Sequence, residues 1–333
     1  MTRDIINNME KANASKIEIS VKTILVGIGI ILALKFALDM KDILLSLFIA
    51  YIVMSVCKQP VEALVRRKVG RGLAVFIVFL SFFVAMGYIF SWIIPPLVIE
   101  TVSFIGHFPR IVESIKPALP INMDTLSLTQ YLPNVTNNFI DVVSSVFSNA
   151  AFFVSTVFFS IYLTLDPNIL TAIFSRYVSK EQLERIVKID SKIEKRLGKW
   201  LLGQLFLMLV IGVFTYIGLL LLGVKYALPL GIIAGLLEAI PNVGPVIAAI
   251  PAFFVGFSQA PLLGLFTVFL SIGIQQFENQ LIVPMVMKRV VGLHPILTLI
   301  VLVVGGRYAG VLGMFFAIPL ALVVETIITG LQE

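Results

Sequence analysis

Glu238, Glu278 and Arg307 are ionisable side chains set in sequence that is otherwise apolar enough for lipid. Glu238 stands three residues before Pro241, Glu278 lies in the polar cluster Gln275, Gln276, Glu278, Asn279 and Gln280, and Arg307 follows Gly305 and Gly306. A charge at bilayer depth costs ~2.5–3.5 kcal/mol or more, so such groups face protein or a water-filled cavity and commonly serve ions or protons. A carboxylate held there can exchange a proton for a cation, and Arg307 could neutralise Glu238 or Glu278 or attract an anionic solute. Asn242, with Gly244 beside it, offers amide and carbonyl groups to a polar, uncharged ligand. Glu238, Asn242, Gly244, Gln275, Gln276, Glu278, Asn279 and Arg307 are therefore the candidate substrate- or ion-binding residues. Each also has a plainer role. Glu238 could cap N–H groups released by a helix break, and Glu278 could sit at the membrane edge, since Lys288 comes ten residues later. Arg307 could snorkel to an interface, and Asn242 could be a turn residue.

The elements that must position these residues are broken helices. Residues 226–257 are apolar but interrupted by Pro241, Asn242, Gly244 and Pro245. Pro241 disfavours helix at Ile240, Pro245 suits the first turn of a new helix, and Gly244 is a possible cap. The arms 226–240 and 246–257 would be about 22 and 18 Å long against a hydrocarbon core of about 30 Å, so neither crosses alone. A re-entrant hairpin keeps Lys288 and Arg289 on the side where basic loops belong, whereas a single crossing does not. Small residues form rows on both arms, Gly231, Gly235 and Ala239 on one and Ala248, Ala252 and Gly256 on the other. Rows of this kind let helices approach closely, which predicts that the two arms pack on each other. A second interruption follows His294 and Pro295, where Gly305 and Gly306 precede Arg307 and helix resumes over 311–330. It predicts a second hairpin with Arg307 near its tip. Pro284, Pro295, Gly305 and Gly306 join Pro241 and Pro245 as structural breaks, and His294 reads as a helix-start residue.

The whole chain is built for a membrane. It has 333 residues, 59% hydrophobic and 13% charged, with mean hydropathy +1.02, about half the charge of a soluble domain. Predicted spans are 21–38, 42–57, 72–94, 142–165, 200–222 and 260–284. Lysines and arginines gather before the first, between the second and third, and over 176–199, which places those regions and both termini in the cytoplasm. Four regions result: a three-span region (1–97), a small extracytoplasmic domain (98–141), the fourth span with a cytoplasmic amphipathic helix (142–199), and a transport core with broken helices (200–333). Prolines at 109, 117, 120 and 133 predict short pieces in 98–141. Residues 178–199 place apolar groups at helical spacing opposite a basic face, the pattern of a helix lying on the membrane surface. The expected class is thus an all-α polytopic membrane protein with about six full spans and two re-entrant hairpins.

Several functions are disfavoured by what is missing. Cys57 is the single cysteine and His107 and His294 the two histidines, so no disulfide or zinc site is expected. The net charge of +6 sits in loops without any nucleic-acid-binding module. No H-E-x-x-H, G-x-S-x-G or P-loop motif occurs, so neither a catalytic residue nor a cofactor is assigned. A non-transporting membrane scaffold remains the alternative, although a scaffold has no need of ionisable groups at depth.

Across residues 160–330 the chain resembles the autoinducer-2 exporter family of bacterial and archaeal membrane proteins. The resemblance rests on WLLGQL (200–205), GVKYAL (223–228), EAIPNVGPVIAAIP (238–251), QQFENQLIVP (275–284), VGLHP (291–295), the closing 313–319, and the Leu165 and Asp166 pair. The first half is similar in hydropathy and layout only. The resemblance implies a secondary transporter of the plasma membrane and a homo-oligomer. It implies as cargo either a small polar signalling molecule of the autoinducer-2 type or Na+ or Li+ exchanged for H+.

The hairpin reading predicts sidedness. Single cysteines introduced into a Cys57→Ala background and probed with impermeant thiol reagents should show Lys288→Cys protected from outside in intact cells. Labelling of Lys288→Cys from outside would sink the hairpin.

Overall fold

The computed structural model describes residues 40–115, 150–241, 243–286 and 294–332, together with 28, 32, 35 and 36. All regular structure among these residues is helical, in the order α1 (Lys41–Arg66), α2 (Arg71–Ile115), α3 (Ala150–Leu165), α4 (Ile169–Phe174), α5 (Lys180–Leu221), α6 (Ala227–Leu237), α7 (Gly244–Gln259), α8 (Pro261–Phe277), a π-helical turn (Glu278–Ile282), α9 (Val283–Val286) and α10 (Pro295–Gln332). The chain divides into two units, residues 1–48 and 49–333. The first contributes the start of α1, and the packing described below lies in the second. Asn242, Lys288, most of span 21–38 and residues 116–149, with the sequence-predicted remainder of the extracytoplasmic domain, lie outside the described residues.

Lys41–Arg66, Lys180–Leu221 and Pro261–Val286 are long and apolar enough to cross a bilayer, Ile296–Gln332 is equally long and apolar but is broken in its middle, and Arg71–Ala85, Ala151–Leu165, α6 and α7 are shorter apolar helices. This is an all-helical, polytopic membrane protein. Two elements depart from the sequence expectation. Helix α2 does not stop at residue 94: it runs to Ile115 with Pro95, Pro96 and Pro109 inside it. Residues 98–115 are therefore a continuation of one helix and not short pieces, since each proline removes a single N–H donor while the neighbouring turns keep theirs. The amphipathic stretch is likewise no separate surface helix. It is the first half of α5, one unbroken helix of 42 residues that starts at a capping box between Ser179 and Gln182 and is about 63 Å long.

The apolar face of that first half is spent on protein contacts. Ile189, Ile193 and Leu197 are buried, and Gly330 of α10 sits against Ile189. Polar groups at the same basic end tie three helices together. Tyr51 of α1 donates to Asp190 (2.5 Å), Lys58 pairs with Glu194, and Arg196 donates to Glu325 (2.5 Å) and Thr326 (2.8 Å) of α10. Gly198 lets the helices meet, since a Cβ there would stand 2.7 Å from the Ser55 carbonyl. On the far side of α1, Cys57 and Val61 pack with Ala74, Val75, Val78 and Phe79 of α2.

Helix α5 is the mast on which the broken helices hang. Gly223 (φ 72°) and Tyr226 (φ 57°) reverse the chain after α5, and α6 returns along it. The small-residue rows pack, but not on each other. A Cβ on Gly231 would meet Tyr216 Cβ at 2.7 Å, and one on Gly235 would meet the Met208 carbonyl at 2.6 Å, so the first row lies against α5 around Gly212. Gly256 of the second row lies against Gly264 and Thr267 of α8. The arms meet through Leu230, Ala252 and Val255, in one cluster with Leu219 of α5. The expectation of two rows facing each other is corrected in part: the glycines of each row serve the long helix beside their own arm, while Ala252 of the second row faces the first arm.

The α10 segment turns back on itself. Ala309 (φ −137°) and Gly310 (φ 59°) leave helical geometry, and Gly305 and Gly313 then touch backbone to backbone. Eight residues of continuous helix would hold them about 12 Å apart, so their contact requires a chain reversal. The second arm returns to the basic end, with Phe315 against Trp200 at 5.8 Å between ring centroids.

Gly235 supplies the test of this packing. Gly235→Leu should destabilise the protein by about 1–3 kcal/mol through overpacking, lowering the melting temperature in detergent and transport more than expression. An unchanged melting temperature would mean that α6 does not rest on α5.

Candidate functional site

The described N–H groups of the break between α6 and α7 find their partners within it. Glu238 N–H continues the helix to Ala234, Ala239 and Ile240 N–H donate to Leu236 (3.2 Å) and Leu237 (2.9 Å), Val243 N–H to Pro241 (2.8 Å) and Gly244 N–H to Ile240 (2.9 Å). Pro245 falls in the first turn of α7 as its sequence predicts, and Val243 rather than Gly244 is the residue that caps it. Gly244 answers a different need. A Cβ there would collide with the Leu237 carbonyl, so only glycine lets the two arms close at the tip.

This tip carries Glu238 into the protein. Glu238 is 0% exposed and Glu278 4%, and the two carboxyl groups are near neighbours that interact electrostatically. Neither Glu238 oxygen takes a hydrogen bond from another described residue. A capping role for Glu238 is thereby not seen, because the N–H donors of Val243 and Gly244 are already used within the tip. Glu278 accepts from Gln275 Nε2 at 3.0 Å. It stands at the start of the π-helical turn, an irregularity that is frequent at functional sites because it re-aims side chains out of the ordinary helical register.

A cavity of about 20 Å³ adjoins Glu278, lined on its polar side by Thr215, Ser271, Gln275 and Glu278 and otherwise by alanines, Pro245 and isoleucines. One water needs ~10–15 Å³ on this scale. The space accordingly matches a single water or a bare monovalent ion. Gln204 of α5, itself 1% exposed, donates its Nε2 to the Glu238 backbone carbonyl at 2.8 Å and so fixes the tip to the mast.

Of the candidate residues, the structure brings together Glu238, Gln275 and Glu278, with Gly244 at the same tip. Gln276, Asn279 and Gln280 are exposed on another face, where Gln280 donates to Gln276 (3.3 Å). Arg307 is exposed at the second hairpin and neutralises neither carboxylate: the contacts of Glu278 are with Gln275 and Glu238. Its sequence neighbours Gly305 and Gly306 instead close that hairpin against Gly313 and Met314. Pro284 lies in α9. Pro295 opens α10, and His294 receives Ile296 N–H on its ring (3.3 Å), as a helix-start residue does. Gln204, Thr215 and Ser271 escaped the sequence reading as site residues. An amide in apolar sequence is the same signal that marked Glu278, but Gln204 was absorbed into a family motif.

Residues 23–333 match the sequence profile described as AI-2E family transporter. The chain belongs to the AI-2E transporter family. Among its relatives are two Bacillus subtilis (strain 168) proteins named for transport with no cargo in the name. YueF is 27% identical over 80% of this chain and 78% of its own length, and YrrI 24% identical over 85% and 84%. The AI-2 transport protein TqsA of Escherichia coli (strain K12) is 25% identical over 89% of this chain and 87% of its own length. This AI-2E family member is thus a multi-pass membrane transporter and not an enzyme.

Removing the tether tests the site's geometry. Gln204→Leu leaves the buried Glu238 carbonyl unpaired, at a cost of about 1–3 kcal/mol. The melting temperature should fall, and a cysteine placed at the exposed tip residue Val243 should react faster with a small permeant thiol reagent. Equal reactivity in both backgrounds would show that Gln204 does not hold the tip.

Proposed function

We propose that this AI-2E family transporter exchanges a monovalent cation, Na+ or Li+, for protons, with Glu238 and Glu278 as the pair that holds one or the other. The observation that carries the reading is the burial of two neighbouring carboxyl groups close enough to feel each other's charge, with no ion pair to either among the described residues. Two like charges this close and out of water repel strongly, so at least one proton or one cation has to sit with them. Proton and cation then compete for the same oxygens, and competition at one site is the minimum requirement for exchange. Gln275, Ser271 and Thr215 add neutral oxygens around the cavity, the ligand type that suits a hard cation.

In this reading α6 and α7 form a re-entrant hairpin that enters from the extracytoplasmic side, and the second hairpin enters from the basic, cytoplasmic side. Both termini are cytoplasmic and the protein resides in the plasma membrane. The exposed amides of Gln276, Asn279 and Gln280, on a helix otherwise apolar, support burial against a second copy in a homo-oligomer.

A second reading, export of a small polar solute of the autoinducer-2 type, draws on the name of TqsA. It needs a larger opening than the cavity here, since small-molecule sites usually measure ~300–1,000 Å³.

Purified protein in liposomes separates the two. A pH gradient should drive Na+ or Li+ flux, and Glu238→Gln or Glu278→Gln, which nearly keep size while removing the charge change, should each reduce it at least about tenfold. That loss corresponds to ~1.4 kcal/mol, well under the 3–5 kcal/mol that a broken buried charge interaction can reach. Full cation exchange in both variants would exclude the pair as the coupling site. Downhill autoinducer-2 flux that survives both variants, with no cation flux in wild type, would establish the export reading instead.

A further inference from the structure

A second polar site lies at the base of the α6–α7 hairpin, at the opposite end from Glu238. A cavity of about 260 Å³ opens there among the outer end of α2, the turn between α5 and α6, and the end of α7. Arg110 of α2 and Lys225 of the turn both line it, and no acidic residue does. Neither cation has an ion-pair partner among the described residues. The cleft thus gathers two positive charges that nothing on its walls balances.

Its walls are built, and three observations show how. Tyr226 adopts the left-handed backbone region (φ 57°), uncommon for an aromatic residue, and this carries its hydroxyl to within 3.3 Å of His107 Nδ1 on α2. His107 Nδ1 also lies 2.7 Å from the Ser103 carbonyl. Because a carbonyl only accepts, Nδ1 carries the hydrogen in that contact. With its amide oxygen and nitrogen assigned from their neighbours, Gln259 at the end of α7 donates to the Gly223 carbonyl (3.2 Å) and accepts from Lys225 N–H (3.0 Å). The turn that presents Lys225 is thereby pinned to the other arm of the hairpin.

We propose that this cleft binds a phosphate group. Guanidinium and ammonium groups converging without a carboxylate create a focused positive potential, and an arginine fork matches phosphate oxygens in a bidentate way. At about 260 Å³ the space lies just below the usual ~300–1,000 Å³ of small-molecule sites. It takes a phosphate with a short polar substituent and not a nucleotide. The turn follows directly on the apolar run that ends at Leu222, so the cleft sits at the level where lipid phosphates begin. The phosphate can therefore come from a lipid headgroup or from a free phosphate compound. Bound there, it would bridge α2 to the hairpin base.

Two arms of one experiment distinguish the sources. In the first, the full chain in a neutral detergent is titrated with inorganic phosphate and with glycerol phosphate against chloride at constant ionic strength, and thermal unfolding is followed. In the second, the protein is placed in nanodiscs of phosphatidylcholine alone or mixed with phosphatidylglycerol. Binding to the native state raises the melting temperature saturably. A rise in the first arm assigns free phosphate, and a rise in the second alone assigns the lipid headgroup. In either case the rise should vanish in Arg110→Gln/Lys225→Gln, whose exposed positions leave the fold intact, and persist in Glu238→Gln. No rise in either arm, or the same rise in the double variant, would overturn the proposal. The result does not depend on what the carboxylate pair carries.

Discussion

A helix interrupted among apolar surroundings has to find a partner for each N–H and C=O that it releases, because lipid supplies none. The break between α6 and α7 meets that constraint locally: the N–H groups of residues 238–240, 243 and 244 all end on carbonyls within the same stretch. The Glu238 carbonyl takes Gln204 from the neighbouring helix. With those groups satisfied, the carboxyl of Glu238 is left over. It is this surplus acid group, held in place by a turn that has no use for it, that meets Glu278.

The seating of that turn depends on glycine. Gly231 and Gly235 allow α6 to lie against α5 at backbone distance, and Gly256 does the same for α7 against α8. Between helices in lipid no hydrophobic force favours contact, so close van der Waals approach has to supply the attraction. Each arm is therefore clamped to a full-length helix, and the arms touch each other through Leu230, Ala252 and Val255. The pair of carboxylates results from this geometry: α5 and α6 bring in Glu238, while α8 and its π-helical turn bring in Glu278.

What was legible in the sequence follows from the range of the forces involved. Pro241, Pro245 and the glycines around 305–310 act on their own backbone, so both breaks could be placed from residue types alone. Glu238 and Glu278 stood out because a carboxylate in apolar sequence is expensive wherever it lands. The partners of the small-residue rows were not legible, since a row of glycines is equally able to face the other arm or α5, and only three-dimensional packing selects. The length of α2 was hidden for a related reason. Three prolines in 95–109 lower helix propensity, yet propensity is a weak prior that tertiary context overrides. The amphipathic face of residues 180–199 likewise fits lipid or protein, and here Ile189, Ile193 and Leu197 are buried. Arg307 failed as a neutralising partner because sequence proximity to a hairpin tip does not specify which of two hairpins the carboxylates occupy.

Cavity size then separates what this conformation can hold from what it cannot. The space beside Glu278 is walled by Ala234 of α6 and by Ala248, Ala249 and Ala252 of α7, residues too short to swing aside and open it. A bare cation or a water fits that space as it stands. A furanone-sized solute requires α7 to separate from α8, and that means parting the contact at Gly256 and Gly264, where no interdigitated side chains resist sliding but close approach over many atoms does. The two cargo readings of the family thus differ physically in one respect. Cation exchange can proceed by recharging the carboxylate pair within a closed hairpin, whereas export of a larger molecule has to move the hairpin itself.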